Sequence, residues 1–493
     1  MRKSGILLPI FSLPSSYGIG CFDEEAYRFV DKLAESKQAY WQILPLGITG
    51  YGDSPYQSFS TYAGNPYFID LNELCEKGWL SKDLLPVYET NTLEINYTHV
   101  YNTRYKLLKS AYLNSDIKEN KDYIQWCNEE SWWLDDYALF MAIKDHYNGI
   151  SWNHWPKELR LRDKLALEMI CEELMDKIEY YQFLQYVFWN QWNKLKEYAN
   201  SKGVQVIGDI PIYVAFDSAD VWANPQLFQL DENRNLSAVA GCPPDGFSAD
   251  GQLWGNPLYK WDAHKEQNYA WWVSRMKYCA SKYDVVRIDH FRGFDEYYSI
   301  PSGAETARDG HWEKGPGYDL FESIEKQAGK MSVIAEDLGF VTETVKQLVI
   351  DCEYPGMKVF QFAFDSRDEN NALLYLPENY TSNSVVYPGT HDNETMMGWL
   401  SSIKIEEKEA LKQYLKTSTE NDEEILDLCL DTIMNSVSDI CIIPMQDWLK
   451  LDNSSRINTP STLGTNWQWR MNKESFNEDL IAKIKSLTIQ SNR

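Results

Sequence analysis

The sequence predicts an α/β fold of the (β/α)8, or TIM-barrel, class, with large inserted subdomains over the C-terminal face of the barrel. Three observations predict it. Eight short apolar, β-branched segments recur along the chain, and each reads as a strand buried on both faces, as parallel sheets require. Amphipathic helical patterns lie between several of them. Ionisable residues stand where four of the segments end, the position from which barrel enzymes build their sites.

In chain order the segments are GILLPIF (5–11), AYWQILPL (39–46), VQVIGDIPI (204–212), DVVRIDHF (284–291), MSVIAEDL (331–338), MKVFQFAF (357–364), SNSVVYPGTHD (382–392) and SDICIIPMQD (438–447). Residues 23–36 place Ala26, Phe29, Val30, Leu33 and Ala34 on one helical face, and 180–198 do the same with Leu184, Val187, Phe188 and Leu195. Thr342 opens a further helix carrying Val345, Leu348 and Val349. Two gaps are too long to be connections. Residues 47–203 are aromatic-rich with helical patterns near 98–113, 122–147 and 162–195, whereas 213–266 are rich in Gly, Pro, Asn and Trp with few regular periods. Both follow a strand's C-terminal end, so we read 1–493 as a single catalytic barrel domain, with 47–203 a mostly helical insertion and 213–266 an active-site cover.

The bulk composition agrees with a large enzyme and excludes several alternatives. The 493 residues are 44% hydrophobic, enough for an extensive core, and the net charge is −26. Such an acidic surface repels phosphate backbones and anionic lipid, so neither nucleic acid nor membrane is an expected partner. The nine cysteines are scattered singly, without a C-x-x-C pair, as in a reduced cytoplasmic protein. Pro9 and Pro14 interrupt the apolar run at the start, and no small-residue cleavage site follows, unlike a signal peptide.

The candidate chemistry lies at Asp209, Arg287 with Asp289, Glu336, and His391 with Asp392. Arg287 and Asp289 are two apart on a strand and share a face. The arginine can hold the aspartate ionised, as a nucleophile requires, while a glutamate in a drier place keeps its proton and serves as an acid. Taken alone, Arg287–Asp289 reads equally well as a simple salt bridge. Two carboxylates without a metal-ligand cluster suit glycoside cleavage. No phosphate-binding loop, dinucleotide fingerprint or serine-hydrolase elbow occurs, and no cofactor or metal is expected.

The chain resembles the amylomaltases, the 4-α-glucanotransferases of glycoside hydrolase family 77. The resemblance rests on LPLGITGYGDSPYQSFSTYAGNPYFIDL (44–71), IGDIPIYVAFDSADVWANPQLF (207–228), PPDGFSADGQLWGNPLY (243–259), VRIDHFRGF (286–294), AEDLG (335–339), GTHDNET (389–395) and NTPSTLGTNWQWR (458–470). It implies Asp289 as the nucleophile of a covalent glucosyl-enzyme, Glu336 as the acid/base, and Asp392 as a third carboxylate binding ring hydroxyls. Arg287, His391, Asp209 and Tyr56 would line the subsite at the cleaved bond. Ser54, Asp245, Gln252, Trp254, His290 and Asn466 would contact flanking glucose units. The implied substrates are α-1,4-linked maltooligosaccharides or glucans with glucose or glucan acceptors, and 243–259 matches the family's cleft cover. The chain departs from the family pattern at 365–377 and at Tyr387-Pro388-Gly389, and no extra N-terminal starch-binding module is expected. A hydrolase using the same carboxylates and a glucan-binding scaffold without catalysis are the competing readings.

Overall fold

A computed structural model describes residues 2–50, 52–86, 92–244, 249–339, 341–367 and 372–493. Twelve strands run along the described chain: β1 (Lys3–Leu7), β2 (Tyr40–Gln42), β3 (Gln205–Pro211), β4 (Ala238–Cys242), β5 (Gln252–Pro257), β6 (Val285–Asp289), β7 (Glu296–Pro301), β8 (His311–Lys314), β9 (Val333–Ala335), β10 (Gly356–Val359), β11 (Ser384–Tyr387) and β12 (Ile440–Pro444). Eight of them close a barrel in the order β1-β2-β3-β6-β9-β10-β11-β12, every pairing parallel. These are the eight segments expected from the sequence.

Each observed strand is shorter than its predicted segment because the C-terminal part of the apolar run leaves the sheet. Pro9, which has no N–H to give a ladder, follows the end of β1, and Ile10–Ser12 form a 3-10 turn. Phe360–Phe364 likewise coil into a 3-10 helix after β10, and Met445–Trp448 into a helix after β12. These departures all occur at one end of the barrel and form its loop-bearing face.

Side-chain alternation divides each strand between two cores. Leu7, Tyr40, Ile207, Val285, Ile334, Met357, Val385, Tyr387 and Ile442 pack together, at least one from every barrel strand, and fill the interior. Val206, Ile210, Val286 and Ile288 belong to the larger cluster shared with the surrounding helices. Helix α1 (Glu24–Glu35) begins at Asp23, whose side chain accepts from the Glu25 N–H, and it buries Ala26, Phe29, Val30 and Leu33. Thr342 caps the helix Glu343–Asp351 as expected, accepting from the Val345 N–H.

Between β2 and β3 lie the long helices Tyr97–Asn114 and Lys121–His146. The pattern at 162–195 resolves into two helices, Lys164–Glu173 and Met175–Ser201, broken at Leu174, which has left the helical conformation at φ −103°, ψ 13°. The second packs against both α1 and β3, as a barrel helix does. Residues 213–266 are more regular than the sequence indicated. Strands β4 and β5 from this stretch join β7 and β8, which follow β6, in an antiparallel sheet ordered β5-β4-β7-β8. Among the described residues no helix is long and apolar enough to cross a membrane.

Gly208 on β3 shows how tightly the barrel wall meets its outer layer. A Cβ there would lie 2.3 Å from the Tyr283 ring, so Gly208→Ala must displace either the ring or the strand. Overpacking of this kind costs about 1–3 kcal/mol. Urea unfolding is expected to show that loss, with a fall in activity because Asp209 is the next residue.

Candidate active site

The register of β3 and β6 sets the centre of the site. Asp209 pairs with Arg287 and Pro211 with Asp289 across the parallel ladder, and all four alternate inward above the Ile207–Val285 layer. Arg287 is buried, and its planar fork has two carboxylates to satisfy. One terminal nitrogen donates to Asp209 Oδ2 at 2.6 Å and the other to Asp289 Oδ1 at 3.0 Å, while Nε lies 3.4 Å from Met357 Sδ.

A second set of contacts ties this centre to the loop after β11. The Tyr56 hydroxyl donates to Asp209 Oδ2 at 2.9 Å and lies 3.0 Å from His391 Nε2, with the two rings stacked at 5.4 Å and 14°. Because the Tyr56 proton points to Asp209, the hydrogen-bond network assigns the His391 proton to Nε2. The same nitrogen is 3.4 Å from Asp392 Oδ1, which also accepts from Asn458 Nδ2 at 2.6 Å. Arg456 donates to the Asp392 carbonyl at 2.6 Å. Asp392 is thus aimed by its neighbours while its side chain stays 42% exposed to the cleft.

Glu336 follows β9 directly. Its Oε2 accepts from the His290 N–H at 2.6 Å and its Oε1 from the Leu338 N–H at 3.1 Å. His290 is the residue after Asp289, so the two acids are held side by side by adjacent strands. The grip depends on His290 taking φ +53°, which turns the chain sharply after β6. Its ring then meets Trp254 edge-on at 4.8 Å and 87°, and burial drives its pKa down to about 3, so the imidazole is neutral.

Burial raises both acids, but unequally. Asp289 is pushed up to about 6 by desolvation, opposed chiefly by Arg287. Glu336 is pushed up to about 8 by desolvation and then by the charge of Asp289, which outweigh Arg287 and the two backbone N–H groups. At neutral pH the pair therefore holds a single proton, on Glu336, beside an Asp289 carboxylate. Such a pair can attack a carbon with one member and protonate a leaving oxygen with the other.

The cleft above these residues measures about 800 Å³ and is lined by Asp289, Glu336, Asp392, Arg287, His290, Gln252 and Trp254. The Trp254 indole N–H donates to Gln252 Oε1 at 3.0 Å. Tyr56 lies beneath, through Asp209 and His391. Ser54 accepts from the Tyr56 N–H at 3.3 Å and shapes the turn that delivers that ring. Asn466 is not among the described residues lining the cleft. Its Oδ1 accepts from the Thr459 N–H at 2.9 Å, and its Nδ2 donates to the Thr462 carbonyl at 2.9 Å, so it organises the 459–466 loop. Asp245 lies outside the described residues. Among the described residues no group of three or more His, Cys, Asp or Glu side chains is placed to hold a metal ion.

Sequence reasoning missed several lining groups. Trp312 on β8 carries the Arg292 guanidinium stacked 4.0 Å over its ring, and a lone tryptophan in a short polar strand gives no signal. Phe362 and the Asp365–Arg367 ion pair (2.7 Å) also line the cleft, in and beside the segment that departs from the family pattern. Asn458 and Arg456 had a signal, since they begin or flank the 458–470 stretch.

A closed parallel barrel with paired carboxylates at its strand ends is the equipment of an enzyme that cleaves or forms glycosidic bonds. The family profile Glyco_hydro_77, described as 4-alpha-glucanotransferase, matches residues 8–475. The 4-alpha-glucanotransferase of Streptococcus pneumoniae serotype 4 (strain ATCC BAA-334 / TIGR4) is 46% identical over 493 residues, covering 99% of this chain and 96% of the relative. That of Clostridium butyricum is 47% identical over 483 residues, covering 97% and 98%. The amylomaltase from Streptococcus agalactiae, solved in complex with acarbose, superposes with a TM-score of 0.96 at 42% identity, with 100% of each chain covered. The chain belongs to the 4-α-glucanotransferase family of hexosyl-transferring enzymes.

Arg287→Met tests the electrostatic centre. Removing one partner of a buried ion network while leaving the others costs about 3–5 kcal/mol. Urea unfolding is expected to show that loss, and a smaller one for Arg287→Lys, which restores the charge but not the two-pronged geometry.

Proposed function

We propose that the chain is a retaining 4-α-glucanotransferase that carries an α-1,4-glucan segment on Asp289 from a donor maltooligosaccharide to the 4-hydroxyl of a glucose or glucan acceptor. The observation that carries this reading is the unequal titration of two adjacent acids, with Arg287 held against the one that ionises first.

In the first step an Asp289 oxygen attacks the anomeric carbon, the glycosidic C–O bond breaks, and Glu336 gives its proton to the departing oxygen. In the second step the acceptor 4-hydroxyl gives its proton to Glu336, its oxygen attacks the anomeric carbon, and the ester bond to Asp289 breaks. Asp392, aimed by Asn458 and Arg456, would bind ring hydroxyls and favour the distorted sugar, with His391, Tyr56 and Asp209 completing the subsite at the cleaved bond. Gln252, Trp254 and His290 would contact the neighbouring glucose unit, while Ser54 and Asn466 would act through the loops they shape. The reading requires a retaining separation of about 5–5.5 Å between the carboxyl groups. Residues 47–203 and 213–266 would overhang this face. The described residues 249–259 of the 243–259 segment would cover the cleft and favour sugar over water as the second nucleophile. The acarbose complex of the S. agalactiae relative supports an α-glucan ligand, and the single, scattered spacing of the cysteines supports a reducing, cytoplasmic setting.

Maltotriose separates the readings. Transfer yields glucose and longer oligomers, hydrolysis yields only glucose and maltose, and a scaffold yields nothing. Asp289→Asn is expected to lower disproportionation at least roughly 1000-fold while the near-ultraviolet circular dichroism stays that of the parent. Wild-type rates in that variant would refute Asp289 as nucleophile.

The titration order fixes the pH profile. Asp289 must be ionised, so kcat/KM rises as pH passes about 6. Glu336 must be protonated, so kcat/KM falls as pH passes about 8. Glu336→Gln, assayed on a donor whose leaving group needs no proton, is expected to lose the alkaline limb and keep the acidic one.

A further inference from the structure

Away from the cleft, a second concavity of about 230 Å³ opens between the helix Lys121–His146, the helix Ala270–Lys282 and the segment 219–227. Trp132, Trp133, Trp271 and Tyr62 form its walls. Trp132 is 50% exposed yet held in place, its indole packed edge-on against Tyr62 at 4.8 Å and 75° and against Tyr278 at 6.1 Å. The acidic groups at the groove are engaged within the protein. Asp136 accepts from Arg162 at 2.6 Å, and Asp220 accepts from the Thr61 N–H at 2.8 Å. What remains for a ligand is aromatic surface rimmed by the neutral polar side chains of Gln267, Ser274 and Asn224.

We propose that this groove is an α-glucan-binding site separate from the catalytic cleft, seating one or two pyranose rings against Trp132. The chemistry selects that occupant. A pyranose has an apolar C–H face and a rim of hydroxyls, which match an indole wall edged by amides and a hydroxyl. An anionic ligand would find no lysine or arginine among the described residues lining the groove and a chain of net charge −26 around it. A folded protein partner needs roughly 1,000 Å² of interface, far more than a concavity of this volume supplies. The site rests on the α-glucan reading of the cleft and extends it to chains too long for the cleft alone. A glucan held at both places gains effective concentration for its second contact, so the groove favours long chains without altering the chemistry on short ones.

Native gels cast with amylopectin, run beside maltotriose assays, test the site. Two variants report on the groove: Trp132→Ala, which removes the exposed wall, and Ser274→Gln, which fills the concavity and leaves the aromatic residues in place. Trp254→Ala reports on the cleft. Both groove variants are expected to bind amylopectin roughly three- to tenfold more weakly and to turn over maltotriose within about twofold of the parent. Retardation equal to the parent's in groove variants with native near-ultraviolet circular dichroism would overturn the proposal. So would weakened retardation accompanied by an equal fall in the maltotriose rate, or retardation lost wholly in Trp254→Ala. A parent that binds amylopectin through the groove yet leaves maltotriose unchanged would uphold the site and refute transfer in the cleft.

Discussion

The site is organised around one buried positive charge. Arg287 lies inside the barrel, where an unpaired guanidinium would be prohibitively costly, and it is tolerable only because β3 and β6 are registered to bring Asp209 and Asp289 to its two terminal nitrogens. Asp209 in turn takes the Tyr56 hydroxyl, and Tyr56 takes the His391 ring. A single charge therefore ties two barrel strands, the loop after β2 and the loop after β11 into one polar network. The thioether of Met357 on β10 closes the fourth side.

That charge also separates the duties of the two acids. Both carboxyls suffer burial, and their mutual repulsion would split the two ionisations even in equal surroundings, so a local difference decides which acid ionises first. Arg287 contacts Asp289 directly, whereas Glu336 has two backbone N–H groups and the negative charge of Asp289 beside it. The acid nearer the guanidinium gives up its proton first and the other retains it. Neutral pH falls between the two events.

Much of this was legible in the residues, and the physical reason differs from part to part. The barrel strands were visible because burial on both faces demands unbroken apolar runs, and their C-terminal ends were overextended because 3-10 turns such as Phe360–Phe364 are equally apolar. The antiparallel sheet was not visible. Strand β8 is short and polar, and β4 pairs with β7 across intervening helices and the barrel strand β6, a non-local pairing that leaves no periodic trace in the sequence. The break at Leu174 had no glycine or proline to announce it. The i,i+2 spacing put Arg287 and Asp289 on one face, but nothing local could show that Asp209 is the partner on the other side. Asn466 illustrates the converse, since its motif points to a ligand while its amide is engaged with Thr459 and Thr462.

The hydrogen bond from the His290 backbone to Glu336 reaches beyond proton affinity. Because one acid ends β6 and the other is clasped by the peptide group that follows it, the gap between them is set by neighbouring rungs of the sheet and not by long side chains sampling rotamers. The surrounding walls come from elsewhere: the 360s, the 390s, the 450s and the antiparallel sheet. Those walls can be lengthened, recharged or reshaped without moving the two carboxyl groups relative to each other. The lining of the cleft and the spacing of the two acids are in this way mechanically decoupled, which leaves such a scaffold free to reshape its walls while the geometry at its floor stays the same.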